Sequence, residues 1–254
     1  MERSRLEGTV EEFQGLRESI QDLLAVKLNS QQLEAFRWYQ SELISWNSRF
    51  NLTAITEPTG IEVRHFLDSL TCMIAMDSQK KVRVIDVGAG AGFPGLPLKI
   101  VCSQIRLTLV EATKKKADFC RHVAESLGLE GVEVVHGRAE NVAHELEHRG
   151  EYDWALARAV ASLPVLVEYL LPFLKLGGCA LAQKGDTAHA EIQLSEEALG
   201  ILGGQLDRLI PIELPGVVET RYLVLIDKVA ETPEGYPRRA GMPSKRPLGL
   251  RKGS

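Results

Sequence analysis

The stretch from Val82 to Leu98 reads VRVIDVGAGAGFPGLPL, and it indicates the fold of the chain around it. It opens with an apolar, β-branched run that contains Asp86 and ends at Val87, which is typical of a buried strand in a parallel sheet. Glycines follow at alternate positions, where the missing Cβ lets the backbone turn sharply and approach a ligand. Pro94 suits the first turn of a following helix. A strand, a glycine-rich turn and a helix in this order predict a site for a nucleotide-like cofactor.

Downstream of this turn, apolar runs alternate with amphipathic segments. We predict strands at Val82–Val87, Arg106–Val110, Val132–His136, Trp154–Ala159, Cys179–Gln183, Asp207–Pro211 and Tyr222–Ile226. We predict helices between them at Leu96–Val101, Lys114–Leu127, Val142–His148, Pro164–Leu174 and His189–Leu202. This alternation implies an α/β, Rossmann-like fold, with a seven-stranded, mostly parallel sheet between helices. The last two strands should pair antiparallel, because their connection is too short for a crossover helix.

Residues 1–80 are predicted to be mainly helical, since apolar residues recur there at three- and four-residue spacing. Asn29 and Ser30 interrupt this spacing and can cap the helix that follows. Because no flexible linker separates these residues from Val82, we expect them to pack as a helical layer on a catalytic domain of residues 81–230. Residues 231–254 form a basic tail rich in proline and glycine, which should lie on the surface without regular structure.

The composition of the 254 residues, 44% hydrophobic and 25% charged, is that of an ordinary soluble protein. A net charge of -4 excludes a uniformly basic nucleic-acid-binding protein but leaves room for a basic face. The four cysteines form no CxxC pair and should be reduced packing residues. The sequence shows neither a signal peptide nor a membrane-spanning run, so we expect the protein in the cytoplasm. His144 and His148 lie four residues apart, but no further ligand completes a metal site, and no metal is predicted.

The spacing of the glycines distinguishes between two classes of cofactor. A dinucleotide-binding turn reads GxGxxG. Here Gly88, Gly90 and Gly92 are spaced GxGxG, and Phe93 stands where the third glycine of that fingerprint belongs. The spacing therefore disfavours a dinucleotide.

Acidic residues after the next two predicted strands favour S-adenosylmethionine, which has a ribose and an adenine but no pyrophosphate. Glu111 lies about 20 residues beyond the turn, where a carboxylate accepts hydrogen bonds from both ribose hydroxyls. Ala139 and Glu140 follow the third strand, where an acid or an amide could reach an adenine edge. The structural alternatives are that Asp86 only caps the turn and that Glu111 only caps the helix after it.

Several segments, in order along the chain, resemble the RsmG (GidB) family of bacterial small-subunit rRNA methyltransferases. They read NLTAI, HFLDSL, VIDVGAGAGFPGLPLKI, LVEATKKKADFC, HGRAE, ARAVASLPVL, QKG and YPRRAGMPSKRPL, and they begin near Trp46. The resemblance implies a class I methyltransferase that moves a methyl group from S-adenosyl-L-methionine to N7 of one guanine of 16S rRNA, guanine 527. It implies the small ribosomal subunit as the partner, with no obligate protein partner.

The resemblance also implies which residues contact the cofactor. Carried over, they are Gly88, Phe93, Glu111, Ala112, Thr113, Ala139, Glu140 and Arg158. To these the glycine-rich turn itself adds Asp86 and Gly90.

Methylation of guanine N7 needs no general base, because this nitrogen carries a lone pair and no proton. Two cations are the catalytic candidates. Arg158, at the end of the fourth predicted strand, could bind the cofactor carboxylate or guanine O6, or only form a surface salt bridge. Lys184, just beyond the fifth, could hold a phosphate or the guanine, or only be a solvated strand end. His65 and Asp68 share a helix face and could line the substrate mouth, or only pack the helix.

RNA binding requires cationic side chains to meet phosphates. The candidates form two groups, which are Lys114, Lys115 and Lys116 at a helix start and Arg238, Arg239, Lys245, Arg246, Arg251 and Lys252 in the tail. A solvated helix face is the alternative for the lysines. Tyr236, among the tail arginines, could stack on a base.

Two other functions stay open. An NAD-dependent oxidoreductase uses a similar sheet but is disfavoured by Phe93. A non-catalytic RNA-binding ribosome assembly factor could keep the cofactor fold without turnover.

Overall fold

A computed structural model describes residues 13–76 and 81–250. Its sheet has seven strands in the order β3-β2-β1-β4-β5-β7-β6. The strands are β1 Arg83–Val87, β2 Arg106–Glu111, β3 Val132–His136, β4 Tyr152–Arg158, β5 Leu174–Lys184, β6 Gly204–Ile212 and β7 Arg221–Lys228. Strands β1 to β5 pair in parallel, whereas β7 pairs antiparallel with both β5 and β6. The predicted antiparallel pairing is confirmed.

The strand order reverses at β1, which lies between β2 and β4. Successive residues of β1 belong to two different cores, because side chains alternate across a strand. Val84 belongs to the core on one face of the sheet, and Ile85 and Val87 belong to the core on the other. This double burial explains the continuous apolar run that predicts the strand. The crevice beyond the carboxyl ends of β1 and β4 is the usual ligand position in such a sheet.

The helices cover both faces of the sheet. They are α1 Gln14–Leu24, α2 Ser30–Phe50, α3 at residues 58–74, α4 Gly95–Val101, α5 Lys114–Ser126, α6 Ala139–Val142, α7 Leu163–Leu170, α8 Ala188–Gln193, α9 Glu196–Leu202 and α10 Met242–Lys245. Helix α3 is composite, and its π-helical part spans Glu62–Leu67. Within residues 13–76 and 81–250, no helix has the length and apolar character needed to cross a membrane.

The amino-terminal helices share a core with the sheet. Asn29 begins α2 with a capping box, in which its side chain accepts from the backbone N–H of Gln32 and the Gln32 side chain accepts in return. Phe36, Tyr39 and Leu43 recur on one face of α2 and are completely buried in the same core as the strands. The predicted helical layer is therefore part of one packed body, and its boundary at residue 80 stays a prediction.

Two predicted helices were placed wrongly. The helix expected at Val142–His148 instead spans Ala139–Val142, because Leu146 is 90% exposed and offers no apolar face on which the helix could continue. The helix expected at His189–Leu202 is divided into α8 and α9. The break occurs at Ser195, whose buried side chain donates to the carbonyl of Glu191 at 2.6 Å.

The tail differs most from its prediction. Instead of lying on the surface without regular structure, it folds back over α6 and α7 and contains the short helix α10. Tyr236 packs, half-buried, against the core beneath α7, so it is not free to stack on a base as predicted. Arg251 and Lys252 lie outside the described residues.

Candidate active site

The glycine-rich turn forms the floor of the candidate site at the end of β1. Gly88 has a φ of 72°, which side chains disfavour, and a Cβ there would lie 2.6 Å from Val160. The backbone N–H groups of Gly88 and Ala89 both donate to the carbonyl of Val110, at 2.8 and 3.2 Å. The turn is therefore fixed to β2, and it offers a bare backbone surface where a side chain would collide.

Glu111 fastens this turn from the end of β2. One carboxylate oxygen accepts from the backbone N–H of Gly90 at 2.9 Å, and the other accepts from that of Thr113 at 2.7 Å. Glu111 therefore does act as a cap for the segment before α5, which is the structural alternative to ribose binding. Each oxygen has a second lone pair, so the same carboxylate can still accept ribose hydroxyls.

Asp86 lies beneath the turn and is completely buried. One of its oxygens accepts from the backbone N–H of Gly95 at 2.8 Å, at the start of α4, as expected for a residue that caps the turn. Its other oxygen has no hydrogen-bond partner among the described residues. Burial raises the pKa of Asp86 to about 7. Through its hydrogen bond with Gly95, Asp86 holds the glycine-rich turn against the start of α4.

Arg158 ends β4 and binds the amino-terminal helices. Its Nη1 donates to the Asp68 carboxylate at 2.8 Å and to the carbonyls of Arg64 and His65 at 3.2 and 3.4 Å. The His65 carbonyl also accepts from the backbone N–H of Asp68 and from the Ser69 hydroxyl, so Arg158 shares this acceptor. The guanidinium also lies 5.0 Å from the ring centre of Phe93.

His65 lies between Arg158 and the ring of Phe93. Its Nδ1 accepts from Nη2 of Arg158 at 3.2 Å, and its ring stacks on Phe93 with 4.5 Å between centres. Burial and the adjacent guanidinium lower the pKa of His65 to about 3, so the ring is neutral at pH 7. Since Nδ1 accepts, Nε2 carries the proton and donates to the Thr53 hydroxyl at 2.8 Å. His65 and Asp68 thus share a face, as predicted, and both hold Arg158.

A cavity of about 170 Å³ opens where β1, β2, β3 and β4 end. Its lining comprises Val87, Gly88, Val110, Ala112, Gly137, Arg138, Ala139, Glu140, Val160, Ala161, Tyr169 and Ser244. A larger, open groove of about 1000 Å³ lies at the other end of the sheet, near the start of α2 and the end of α4. That groove is remote from the glycine-rich turn and from Glu111, so the smaller cavity is the candidate site.

The residues around this cavity fit S-adenosylmethionine. The bare backbone at Gly88 leaves room for a ligand, and the Glu111 carboxylate has acceptor capacity for hydroxyls. Ala112, Ala139 and Glu140 line the cavity beside the predicted adenine position. Arg158 lies outside this lining, and its guanidinium, bound to Asp68, is a cation on the Phe93 side of the turn.

Several predicted substrate residues have partners within the protein. Lys184 is largely buried and pairs with Glu191 at 2.7 Å, so its predicted contact with RNA requires this pair to open. Lys114 pairs with Asp118, while Lys115 lies 5.1 Å from the ring centre of Phe50.

The remaining basic candidates differ in exposure. Lys116 is half-buried. In the tail, Arg238 is bound to Glu168, whereas Arg239, Lys245 and Arg246 are exposed.

Most of the residues that line the cavity were not predicted as site residues, and three of them illustrate why. Val160 follows β4 and lies against Gly88, Tyr169 comes from α7, and Ser244 comes from the tail. The segment around Tyr169, Leu163–Leu170, is apolar apart from Glu168 and Tyr169, so its sequence carries no clear signal that one face meets a cavity. Ser244 lies far along the chain from the other lining residues, and its position depends on how the tail folds back.

Comparison with known proteins identifies the family. Residues 32–212 match the model of the family described as rRNA small subunit methyltransferase G. A relative from Alkaliphilus metalliredigens, named ribosomal RNA small subunit methyltransferase G, is 46% identical over 89% of this chain and 94% of its own length. One of the same name from Roseiflexus castenholzii is 48% identical over 88% of this chain and 94% of its own.

Solved structures are similar in fold at lower identity. TrmN from Thermus thermophilus is 18% identical, with a TM-score of 0.50 over 66% of this chain and 53% of that one. A point mutant of MtNAS in complex with S-adenosylmethionine is 19% identical, with a TM-score of 0.52 over 79% of this chain and 72% of that one. The predicted fold class and S-adenosylmethionine as the cofactor are confirmed. The chain therefore belongs to the rRNA small subunit methyltransferase G family.

Proposed function

We propose that this protein transfers the methyl group of S-adenosylmethionine to N7 of guanine 527 in the 16S rRNA of the small ribosomal subunit. The names of relatives that match 89% of the chain support the rRNA substrate. The resemblance of the motifs supports the choice of guanine and of N7. The protein acts in the cytoplasm, without an obligate protein partner or a metal.

The observation that carries this proposal is the state of the titratable groups beside the glycine-rich turn. Asp86 is completely buried, so its oxygen that has no partner among the described residues is not exposed to a substrate, and both ring nitrogens of His65 are hydrogen-bonded. Neither is placed to take a proton from a substrate. Methylation at N7 suits such a site, because the lone pair of this nitrogen attacks without deprotonation.

Catalysis then depends on alignment. Bringing two reactants into line lowers a barrier by roughly 7–11 kcal/mol. The cofactor supplies an electrophilic methyl group. Asp86, Gly88, Gly90 and Phe93 hold and shape the floor of the site, and Glu111 with Thr113 orients the ribose.

The substrate side of the site has its own residues. Arg158 contacts the cofactor carboxylate or guanine O6 and is steadied by His65 and Asp68. Lys184 holds a phosphate once its pair with Glu191 opens.

Cationic side chains from the tail and from the start of α5 bind the rRNA backbone. They are Arg239, Lys245 and Arg246 from the tail, with Lys114, Lys115 and Lys116 from the start of α5. The Arg238 side chain is 25% exposed although it is paired with Glu168, and it adds to this basic surface.

The decisive experiment incubates the protein with methyl-labelled S-adenosylmethionine and small ribosomal subunits that lack the modification, then maps the label on the rRNA. We expect label at N7 of guanine 527 alone. Label on an amino group, on a ribose or on another guanine contradicts the proposal. Absence of label, with intact binding to the subunit, favours the non-catalytic assembly factor. Tight NADH binding without a response to S-adenosylmethionine favours the oxidoreductase.

A further inference from the structure

The basic tail closes one side of the cofactor cavity. Glu140 lines this cavity from α6, and one of its carboxylate oxygens accepts from the backbone N–H of Gly241 at 2.8 Å. The two residues are 101 positions apart in the chain. The acid that the resemblance assigns to the cofactor is therefore also an attachment point for the tail.

The tail contributes a side chain to the cavity as well. Ser244, on α10, lines it together with Tyr169 of α7, and their hydroxyl oxygens lie 2.9 Å apart. Tyr169 is largely buried, and burial raises its pKa, so the phenol stays protonated at neutral pH. The two hydroxyls offer a donor and an acceptor beside Ala139 and Glu140. This is the chemistry that meets the nitrogen-rich edge of a purine.

An ion pair fixes this segment in place. The Glu168 carboxylate on α7 is completely buried, and it accepts from Nη2 of Arg238 at 2.6 Å, from Nε at 2.9 Å and from the backbone N–H at 2.8 Å. Arg149 adds hydrogen bonds to the carbonyls of Tyr236 and Thr232, at 2.7 and 2.9 Å. Such a bidentate, buried contact fixes the position and direction of the chain after Arg238, which leads to α10.

We propose that residues 236–246 are a cofactor-binding element, in which Ser244 together with Tyr169 contacts the adenosine part of S-adenosylmethionine. The Arg238–Glu168 pair holds this element in position, and Arg238 is a positioning residue. The inference rests on the proposed function, because it takes S-adenosylmethionine as the ligand of this cavity. It goes beyond that function by giving the basic tail a second task besides contact with rRNA.

The test is the dissociation constant of S-adenosylmethionine, measured by calorimetry on the full chain without RNA. Ser244→Trp places a bulky indole beside the cavity, and we expect S-adenosylmethionine to bind at least about tenfold more weakly. Because Ser244 is exposed, the melting temperature should stay unchanged. Ser244→Ala removes only the hydroxyl and should weaken binding by about threefold. Arg238→Ala should weaken binding by about tenfold, because the wall is no longer held.

The matched control is Arg208→Ala, which removes an exposed arginine from the edge strand β6 and should leave the constant unchanged. Folded Ser244→Trp and Arg238→Ala proteins that bind within about twofold of the wild type overturn the inference and leave the proposed function intact. A wild-type protein that does not bind S-adenosylmethionine overturns the proposed function itself. Should Arg238→Ala fail to fold, the Ser244 variants decide.

Discussion

Two arginines, associated with opposite faces of the sheet, each meet a buried carboxylate far away in the sequence. Arg158 makes one contact with Asp68, spreads its other hydrogen bonds over His65 and two carbonyls, and lies over Phe93. Arg238 makes parallel contacts with Glu168, which is completely buried. A guanidinium that is shared among several partners can exchange one of them for a ligand, whereas a bidentate pair fixes a chain segment. We therefore propose that Arg158 takes part in the reaction, whereas Arg238 fixes the tail in place.

The variant that tests this contrast most severely is Arg158→Ala. We expect kcat for methylation to fall by about a thousandfold, which corresponds to a barrier higher by about 4 kcal/mol. A loss of this size is typical when a preorganised donor is removed from a reacting centre. Unfolding should stay cooperative. Turnover on small ribosomal subunits is measured beside Arg208→Ala, which should be unaffected. Near-normal turnover of Arg158→Ala would remove this residue from the site.

The corresponding change on the other side is Arg238→Ala, with its main effect on stability. Removing one partner of a buried pair costs about 3 kcal/mol here, the low end of the usual range, because Arg238 itself is partly exposed. Urea denaturation gives the free energy of unfolding. The neighbouring exposed Arg239→Ala is the control and should change it by less than about 0.5 kcal/mol. Equal stabilities for the two variants would contradict a structural role for Arg238.

His65 gives the Arg158 side a pH dependence. Its folded-state pKa is about 3, below the ordinary value of 6.5, so the unfolded chain takes up a proton at a higher pH than the folded protein does. The folded protein therefore loses stability as the pH falls from 6.5 towards 3. From pH 6.5 to pH 4.5 the loss due to this residue is about 2 kcal/mol.

The variant His65→Gln should lack this contribution. Unfolding free energies at several pH values, for the variant and the wild type, measure the difference between their slopes. Parallel curves for the two proteins would show that His65 does not titrate in this way.

The smallest expected effect is that of Thr53→Val, which removes the hydroxyl acceptor of the His65 Nε2 proton. We expect a loss of about 1.5 kcal/mol of stability, because the backbone N–H of Ile55 loses the same acceptor and two hydrogen bonds are left unmade. Methylation should fall severalfold in kcat with little change in KM, because Arg158 loses part of its support. Thr56→Val, at an exposed position three residues further along the chain, is the control. A drop in stability with unchanged kcat would limit Thr53 to packing.

The strands and the floor of the site could be predicted because their signals are local. The β-branched run before Gly88 is buried on both faces, and such a run has few other structures available to it. Glu111 ends the next strand and lies only 21 residues from Gly90, whose backbone N–H donates to its carboxylate. The boundaries that went wrong, at Val142 and at Ser195, depend on which side chains find a buried partner, and local periodicity does not contain that information.

The sequence by itself determined the order of the strands and helices along the chain, the glycine-rich turn and, through several motifs, the family. Tertiary structure alone decided which partners each arginine binds. Arg158 and Arg238 both stand in conspicuous motifs, yet their partners lie 90 and 70 residues away. Tertiary structure also decided that the tail is a wall of the cavity. The physical reason is that a charged side chain takes its role from the burial and number of its partners, and these exist only once the chain has folded.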